Sequence, residues 1–236
     1  MTGFKQGLRI AFQGERGAFS EDAAIKLLGE EIELVPRPTF DALFASIDQG
    51  VADLVLAPLE NTLAGSVHRS YDLLLESSLL IKAEVIIPIV HHLIGCPEAT
   101  FDSIRAVESH PVALAQCERF FIDHPHIHRI VSEDTAGSVR AVIECNDLTR
   151  AAIAGARAAE VYGGQILCEH VEDYCDNYTR FVLLAPATND DAEGDKLSLV
   201  IRLSHRPGAL HFALVPFARR GINLLKIESR PIKGSP

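Results

Sequence analysis

The sequence lacks any apolar run that approaches the roughly 20 residues needed to cross a lipid bilayer. Its N-terminus also lacks the basic-then-apolar pattern of a secretory signal peptide. Both absences disfavour a membrane-spanning or secreted protein. We therefore predict a cytoplasmic protein with no membrane partner.

Basic residues are scarce, since 22 Lys and Arg stand against 32 Asp and Glu and give a formal net charge of −10. An acidic chain repels the phosphates of nucleic acids and of anionic membranes, so neither is an expected partner. An anionic substrate would therefore have to meet a local basic pocket.

The sequence also lacks the spacing of a metal site or a disulfide framework. Its five cysteines are an odd number without Cys-x-x-Cys spacing, and we expect reduced, mostly buried thiols. Two histidine clusters do not match a known metal motif and are interpreted as solvated or structural. These clusters are His91 and His92 with Cys96, and His124 with His126 and His128.

Nucleotide-binding and hydrolase signatures are absent as well. There is no Gly-x-Gly-x-x-Gly pattern, no phosphate-loop lysine and no Gly-x-Ser-x-Gly elbow. A Cys117 nucleophile activated by His110 is conceivable, but a cysteine in the middle of a helix usually belongs to the core. We expect neither a metal nor a cofactor.

The chain does contain a regular alternation of short apolar runs and helical patterns. Among them we predict one strand at 83–92, helices at 40–49 and 113–121, and a helix at 21–28 that Ser20 could cap. This β-α-β succession is typical of a parallel sheet covered on both faces, so the predicted fold class is α/β. We expect two lobes with a ligand-binding cleft between them. Because the late strand Arg180–Leu184 needs a sheet to join, we place lobe 1 at about 1–82 and 165–188, and lobe 2 at about 83–164.

The C-terminal part has a different character. The polar, acidic segment 188–195 is interpreted as a linker, and residues 196–236 then contain eight Lys or Arg and one acid, Glu228. We predict a second domain there, with a β-α-β order. Its predicted elements are a strand at Lys196–Leu203, a helix at Ala209–Arg219 and a strand at Ile222–Ile227.

Residues 173–181 form a polar segment that leads into the apolar strand Val182–Ala185. Thr179 offers a hydroxyl, Arg180 a planar fork suited to a carboxylate, and Asn177 an amide that can orient either. These side chains could bind an anion at the end of the strand. They could also form only a tight turn before the strand.

Four other polar segments leave the same alternatives open. Each could bind an anion through hydroxyl groups or helix N-terminal N–H groups, and each could be only a turn, a structural histidine or a helix N-cap. Their motifs are Gly14-x-x-Gly17-x-Phe-Ser20-Glu, Pro58-x-Glu60-Asn61-Thr62-x-x-Gly65-Ser66-Val67, Ser109-His110-Pro111-x-Ala-Leu-Ala-Gln116-Cys117 and Asp134-Thr135-Ala136-Gly137.

With Asn177-x-Thr179-Arg180-Phe181, these motifs resemble the prephenate dehydratase family, in order and at fitting intervals. The resemblance covers nearly the whole chain, because Arg206-Pro-Gly208-Ala-Leu210 and Glu228-Ser-Arg-Pro231 resemble the family's phenylalanine-sensing ACT domain. Two positions depart from the usual pattern. Val112 replaces a glutamine, and Thr62 replaces a serine but keeps the hydroxyl.

The resemblance implies a two-lobed, periplasmic-binding-protein-like catalytic domain without a cofactor. The implied reaction converts prephenate to phenylpyruvate, water and carbon dioxide in phenylalanine biosynthesis. Thr179 would act on the departing hydroxide as the catalytic residue. The implied substrate-binding residues are Ser20, Asn61, Thr62, Ser66, Thr135, Asn177, Arg180 and Phe181.

For the tail, the resemblance implies L-phenylalanine as a feedback effector and a homodimer or homotetramer. The sequence given stops before the third strand of an ACT domain. We therefore expect that the natural chain continues past Pro236 or that a second copy supplies the missing strand edges. The implied effector-binding residues are Gly208, Ala209, Leu210, Asn223, Glu228, Ser229, Arg230 and Pro231.

The alternative is a non-catalytic module that binds a small anion, since solute-binding proteins also place two α/β lobes around a cleft. Thr179 beside Arg180, the appended sensor segment and the missing signal peptide favour the enzyme.

Overall fold

The computed structural model describes residues 7–187 and 194–230. The chain divides into two units, Met1–Asp191 and Ala192–Pro236. Within the first unit, each of two lobes is built on its own β-sheet. Among the described residues, no helix is both long enough and apolar enough to cross a membrane.

Lobe 1 contains a sheet with the strand order β2-β1-β3-β11-β5, in which β1, β2 and β3 are parallel and β11 is antiparallel to both of its neighbours. One face of the sheet packs on α1, and the other packs on α2 and α3. The elements are β1 (Arg9–Gln13), α1 (Phe19–Leu28), β2 (Glu33–Arg37), α2 (Phe40–Phe44), β3 (Leu54–Asn61), β4 (Gly65–Ser66), α3 (His68–Glu76), β5 (Leu79–Pro88) and β11 (Tyr178–Pro186).

Lobe 2 contains a sheet with the order β10-β6-β9-β7-β8, in which β7, β8 and β9 are parallel. A single apolar core joins this sheet to its helices. The elements are β6 (His92–Gly95), a 3-10 helix (Phe101–Ser103), β7 (Ala106–Ser109), α4 (Pro111–Ala115), α5 (Glu118–Asp123), β8 (His128–Val131), α6 (Thr135–Cys145), β9 (Arg150–Ala154), α7 (Ala156–Tyr162) and β10 (Gln165–Cys168).

The predicted two-lobed α/β fold is confirmed, but the lobe boundaries differ. Residues 83–92 were predicted to be one strand that opens lobe 2, whereas β5 belongs to lobe 1 because it pairs along its length with β11. The predicted return to lobe 1 at 165 is also too early, because β10 pairs with β6 in lobe 2. The chain therefore crosses between the lobes at 89–91 and at 169–177.

Several helices begin or end away from the predicted positions. Ser20 was expected to cap α1, but Ala18 is the N-cap residue and makes no side-chain cap. The helix predicted at 113–121 is interrupted at Gln116–Cys117 and forms α4 and α5. The helix predicted at 40–49 ends at Phe44. These differences matter most at Gln116, because the interruption places its side chain between the lobes.

The second unit contains the predicted helix, α8 (Ala209–Arg219). The strands predicted at 196–203 and 222–227 are not formed in the described residues. A strand needs a neighbouring edge for its hydrogen bonds, and these segments expose their apolar side chains, with Leu197 80% and Leu225 78% accessible. The ACT domain therefore stays a prediction.

The prediction that the five cysteines are mostly buried is wrong. Cys96 and Cys117 are buried, whereas Cys145 and Cys175 are exposed. Burial raises the pKa of the Cys117 thiol, which opposes formation of a nucleophilic thiolate.

The lobes contact each other at the start of α1. Glu15 and Arg140 form an ion pair of 2.9 Å, and Asp22 pairs with Arg157. Gly17 lies in the left-handed region with φ +81, and a Cβ at this position would lie 2.7 Å from the Cα atom of Ala158. Only glycine therefore allows the turn before α1 to lie this close to α7.

We predict that Gly17→Ala lowers the free energy of unfolding by about 2 kcal/mol, because both the backbone conformation and the contact with α7 become strained. Gly163→Ala is the matched control, since Gly163 has φ +72 but open space around the missing Cβ. The control should cost about 1 kcal/mol. Urea unfolding of both variants measures the difference, and equal losses would show that the lobe contact is not tight.

Candidate active site

Polar side chains converge where β3 ends and β11 begins. Because the two strands are antiparallel neighbours, Thr179 lies directly opposite Asn61. The Asn61 side-chain amide donates to Thr179 Oγ1 over 2.9 Å. The Thr179 side chain is thus held at the edge of the sheet and is largely buried.

The loop after β3 fixes the orientation of the Asn61 amide. Its Oδ1 accepts the backbone N–H groups of Leu63, at 2.9 Å, and Ala64, at 2.7 Å. The NH2 side of the amide must therefore face Thr179. Thr179 Oγ1 accepts this bond, so the threonine O–H remains a donor for another group.

Asn177 continues the hydrogen-bond network into lobe 2. This residue is fully buried, its Oδ1 accepts from Asn61 Nδ2 at 2.6 Å, and its Nδ2 donates to Gln116 Oε1 at 3.1 Å. His91 Nε2 lies 2.9 Å from the same Gln116 oxygen. The network Thr179–Asn61–Asn177–Gln116–His91 therefore spans the two lobes.

The hydroxyl of Thr62 holds the segment that returns to lobe 1. Thr62 Oγ1 donates to the Asp176 carbonyl over 2.9 Å and accepts the Tyr178 N–H over 2.9 Å. Ser66 lies nearby in β4, opposite Glu60. Thr62, which stands where the resemblance implies a serine, thus uses its hydroxyl to hold the segment before β11 against the loop after β3.

Arg180 points to the opposite face of the sheet from Thr179, because successive strand residues alternate. Its guanidinium donates to Glu60 Oε1 at 3.0 Å and to Glu84 Oε2 at 2.8 Å. The predicted contact with a substrate carboxylate would therefore require this double ion pair to open. Phe181 is 2% exposed and lies in the core of lobe 1, so its ring is not accessible to a substrate in this structure.

Ser20 and Thr135 lie in the first turns of α1 and α6. Within residues 7–187 and 194–230, no hydrogen bond joins either side chain to the Asn61–Thr179 pair. Asp134 is the N-cap of α6, one of the two alternatives left open for this segment, and accepts the Gly137 N–H over 2.5 Å. The structure thus brings Asn61, Thr62, Asn177 and Thr179 together and places Ser20 and Thr135 at helix starts.

The glycine turn before α1 already holds a carboxylate of the chain. Glu21 is 1% exposed, and its Oε2 accepts the Gly17 N–H at 3.0 Å and the Arg16 Nε–H at 2.8 Å. This segment could have been an anion site or only a turn. At Gly17 it is a turn, because the Gly17 N–H is already bound to Glu21. His110 is likewise structural, because its Nδ1 accepts the Val112 N–H and caps α4.

Sequence reasoning missed Gln116 and His91 as parts of the site. Gln116 belongs to the motif Ser109–Cys117, but no role was predicted for it. His91 was interpreted as solvated or structural. His91 is only 2% exposed, and its ring meets Phe19 edge to face with centroids 5.6 Å apart. A histidine embedded in the apolar segment 86–95 was the available signal, but its partner Gln116 is 25 residues away.

The return segment, residues 169–177, also positions elements of lobe 2. Asp173 accepts the N–H groups of Glu118 and Arg119, each at 2.9 Å, and so caps α5. Glu172 Oε2 accepts the His91 N–H at 2.8 Å. Both acids hold the segments between the lobes in place around Gln116.

The fold and the site have relatives among known proteins. One relative is "Arogenate dehydratase/prephenate dehydratase 2, chloroplastic" of Arabidopsis thaliana, which is 42% identical over 234 residues. The match covers 97% of this chain and 60% of the relative, so the chain spans less than two thirds of that protein.

Two solved structures have the same architecture. The prephenate dehydratase of Arthrobacter aurescens in complex with L-Phe has a TM-score of 0.85 and 29% identity, covering 96% of this chain and 77% of that one. A structure described as GqqA, a novel type of quorum quenching acylase, has a TM-score of 0.81 and 32% identity, covering 96% of this chain and 83% of that one.

A family model adds a match that includes the whole Asn61–Thr179 network. The model is described as prephenate dehydratase, and it matches residues 10–189, which contain both lobes. The order of the polar segments, the two-lobed fold and this match agree. The chain belongs to the prephenate dehydratase family.

Proposed function

We propose that the chain eliminates water and carbon dioxide from prephenate to give phenylpyruvate, a step of phenylalanine biosynthesis. Family membership supports the class of reaction. The observation that carries the proposal is the orientation of Asn61, which donates to Thr179 Oγ1 and leaves the threonine proton for a departing hydroxide.

The protein needs to form no covalent bond with the substrate in this reaction. The C–C bond to the ring carboxylate breaks and releases carbon dioxide, its electron pair completes the aromatic ring, and the C–O bond to the ring hydroxyl breaks. Hydroxide leaves as water once it has gained a proton. A hydrogen bond from Thr179 to the leaving oxygen stabilises the charge that develops there, and the hydrogen bond from Asn61 makes the threonine a better donor.

The substrate's two carboxylates need partners within an acidic protein. Four arginines around the lobe contact and β11 are already paired with carboxylates of the chain. We therefore assign the anions chiefly to hydroxyl and N–H groups, including the first-turn N–H groups of α1 and α6 beside Ser20 and Thr135. Thr62, Ser66 and Asn177 would line the same cleft. The paired arginines are Arg16, Arg140, Arg157 and Arg180.

Arogenate is the second substrate to consider, because the Arabidopsis relative carries both substrates in its name. Arogenate has an ammonium group where prephenate has a keto oxygen, so its product is phenylalanine. Turnover of the two substrates by the purified chain, followed side by side, tests the proposal. Binding of prephenate without release of phenylpyruvate would favour the alternative of a non-catalytic binding module.

Phenylalanine feedback is proposed for the second unit. The Arthrobacter relative was solved with L-Phe. Here Gly208, with φ +77, is the N-cap of α8, an 11-residue helix. Leu210 lies in its first turn and would offer its N–H group to the effector's carboxylate, whereas the Ala209 N–H donates to the Arg206 carbonyl over 3.2 Å and Ala209 would contribute only its position in the turn. Glu228 carries a carboxylate suited to an ammonium group and lies 3.3 Å from Lys226. Asn223, Ser229 and Arg230 complete the proposed set, while Pro231 lies outside the described residues.

Two further parts of the proposal concern the whole protein. A homodimer or homotetramer is proposed because the second unit exposes apolar side chains on α8, with Phe212 65% accessible. A cytoplasmic location stays a prediction, since the Arabidopsis relative is described as chloroplastic.

We predict that Thr179→Ala lowers kcat and kcat/KM together by a factor on the order of 100 or more, because it removes a group that acts mainly in the transition state. Thr179→Ser is the matched control and should retain most of the rate, since it keeps the hydroxyl. Steady-state kinetics with prephenate measure both variants. A near-normal kcat for Thr179→Ala would remove this residue from the mechanism.

For Arg180→Lys we expect the free energy of unfolding to fall by about 2 kcal/mol, because an ammonium cannot bridge Glu60 and Glu84. The KM for prephenate should stay within about twofold of wild type. Arg129→Lys, in an exposed pair with Glu118, should cost less than about 1 kcal/mol. A severalfold rise in KM at unchanged stability would instead support a substrate carboxylate at Arg180.

Glu228→Gln should weaken phenylalanine binding by about tenfold or more, since the amide cannot neutralise the effector's ammonium group. Thr179→Ala is the control, because it should bind phenylalanine as wild type does. Titration calorimetry measures both variants. Equal phenylalanine affinities of wild type and Glu228→Gln would contradict the proposal that this carboxylate binds the effector's ammonium group.

A further inference from the structure

The polarity of the whole hydrogen-bond network follows from the loop after β3. The Leu63 and Ala64 N–H groups force Asn61 to present its NH2 group, so Asn177 must present Oδ1 to it. Asn177 then has only its NH2 group left for Gln116. Gln116 must therefore present Oε1, which accepts from Asn177 at 3.1 Å.

This polarity also determines which nitrogen of His91 carries the proton. Gln116 Oε1 can only accept, and His91 Nε2 lies 2.9 Å from it, so Nε2 must bear the hydrogen. His91 Nδ1 is then an acceptor, and it is buried without a hydrogen-bond partner among the described residues. A neutral ring with its proton on Nε2 satisfies the network.

The surroundings keep the ring in place and neutral. Both backbone groups of His91 are bound to the return segment, because its N–H donates to Glu172 Oε2 at 2.8 Å and its carbonyl accepts the Val171 N–H at 2.9 Å. Burial lowers the pKa of His91, against the opposing effects of Gln116 and Glu172, and His92 lowers it further. The edge of the imidazole also packs on Phe19.

We infer that His91 is a positioning residue, whose Nε2–H holds the Gln116 carbonyl oxygen in place to accept from Asn177. The loop after β3 sets the direction of the Asn61 amide, and His91 fixes the position of Asn177, which supports that amide beside Thr179 from the other end. This inference rests on the proposed function for its kinetic consequence. Its structural part, the location of one proton, is independent of any substrate. His91 acts from the segment where the chain crosses between the lobes, and it touches Gln116 instead of the reacting atoms.

The first test locates the proton directly. The full chain, labelled with nitrogen-15 in its ten histidines, is measured by NMR between pH 5 and 8, and His91→Gln identifies the His91 signals by their loss. We expect Nε2 to be protonated and Nδ1 bare throughout the upper part of this range, with protonation of Nδ1 shifted below the ordinary histidine pKa. A proton on Nδ1 at neutral pH would overturn the inference.

The second test separates the hydrogen bond from the volume of the ring. His91→Phe keeps a ring against Phe19 but removes the donor, and we expect kcat for prephenate to fall about tenfold with KM within about twofold. His91→Gln places an amide NH2 near the position of Nε2 and should recover most of kcat. His92→Phe is the matched control, since His92 is also buried but lies outside the network.

The outcomes distinguish the two proposals. A wild-type kcat for His91→Phe, or equal losses for His91→Phe and His91→Gln at matched melting temperatures, would overturn the positioning role. A loss of similar size in His92→Phe would also overturn it, since it would indicate a general packing effect. If the wild-type chain does not turn over prephenate, the proposed function fails, and the NMR result alone decides the inference.

Discussion

The Asn61 amide is the constraint on which the site depends. Two backbone N–H groups bind its oxygen, and this removes the freedom of the amide to turn over. A network of amides has two possible directions, and an anchor at one end selects one of them. Thr179 is thereby made an acceptor toward Asn61, and its own O–H remains a donor for another group.

Sequence reasoning predicted Asn61, Asn177 and Thr179 as site residues because each lies next to a strand with a clear apolar pattern, and the structure brings their side chains together. It also predicted two α/β lobes for the same reason. The lobe boundaries were wrong, because the length of β5 is set by its pairing with β11 and not by its own pattern. The strands predicted in the second unit have the right local pattern but no neighbouring edge in the described residues.

Long-range partners account for the side-chain contacts that sequence reasoning did not predict. Arg180 has the right chemistry for a substrate carboxylate, but Glu60 and Glu84, 120 and 96 residues away, bind it on the other face of the sheet. His91 and Gln116 lack a local signal, because their function comes from one shared oxygen atom. The same holds for Arg16, Arg140 and Arg157, which are also paired with carboxylates of this acidic chain.

Among the described residues, the network passes from lobe 1 to lobe 2 through the Asn177–Gln116 hydrogen bond. His91 and Asn177 lie in the two segments that connect the lobes. A rotation of one lobe against the other would stretch this bond, whereas the Leu63 and Ala64 N–H groups belong to lobe 1 and would keep the Asn61 amide turned toward Thr179. The Asn61–Thr179 pair would stay assembled, and the support that reaches it from lobe 2 through Asn177 would be lost. Separation of the lobes would therefore leave the polarity of the site intact and remove its rigidity.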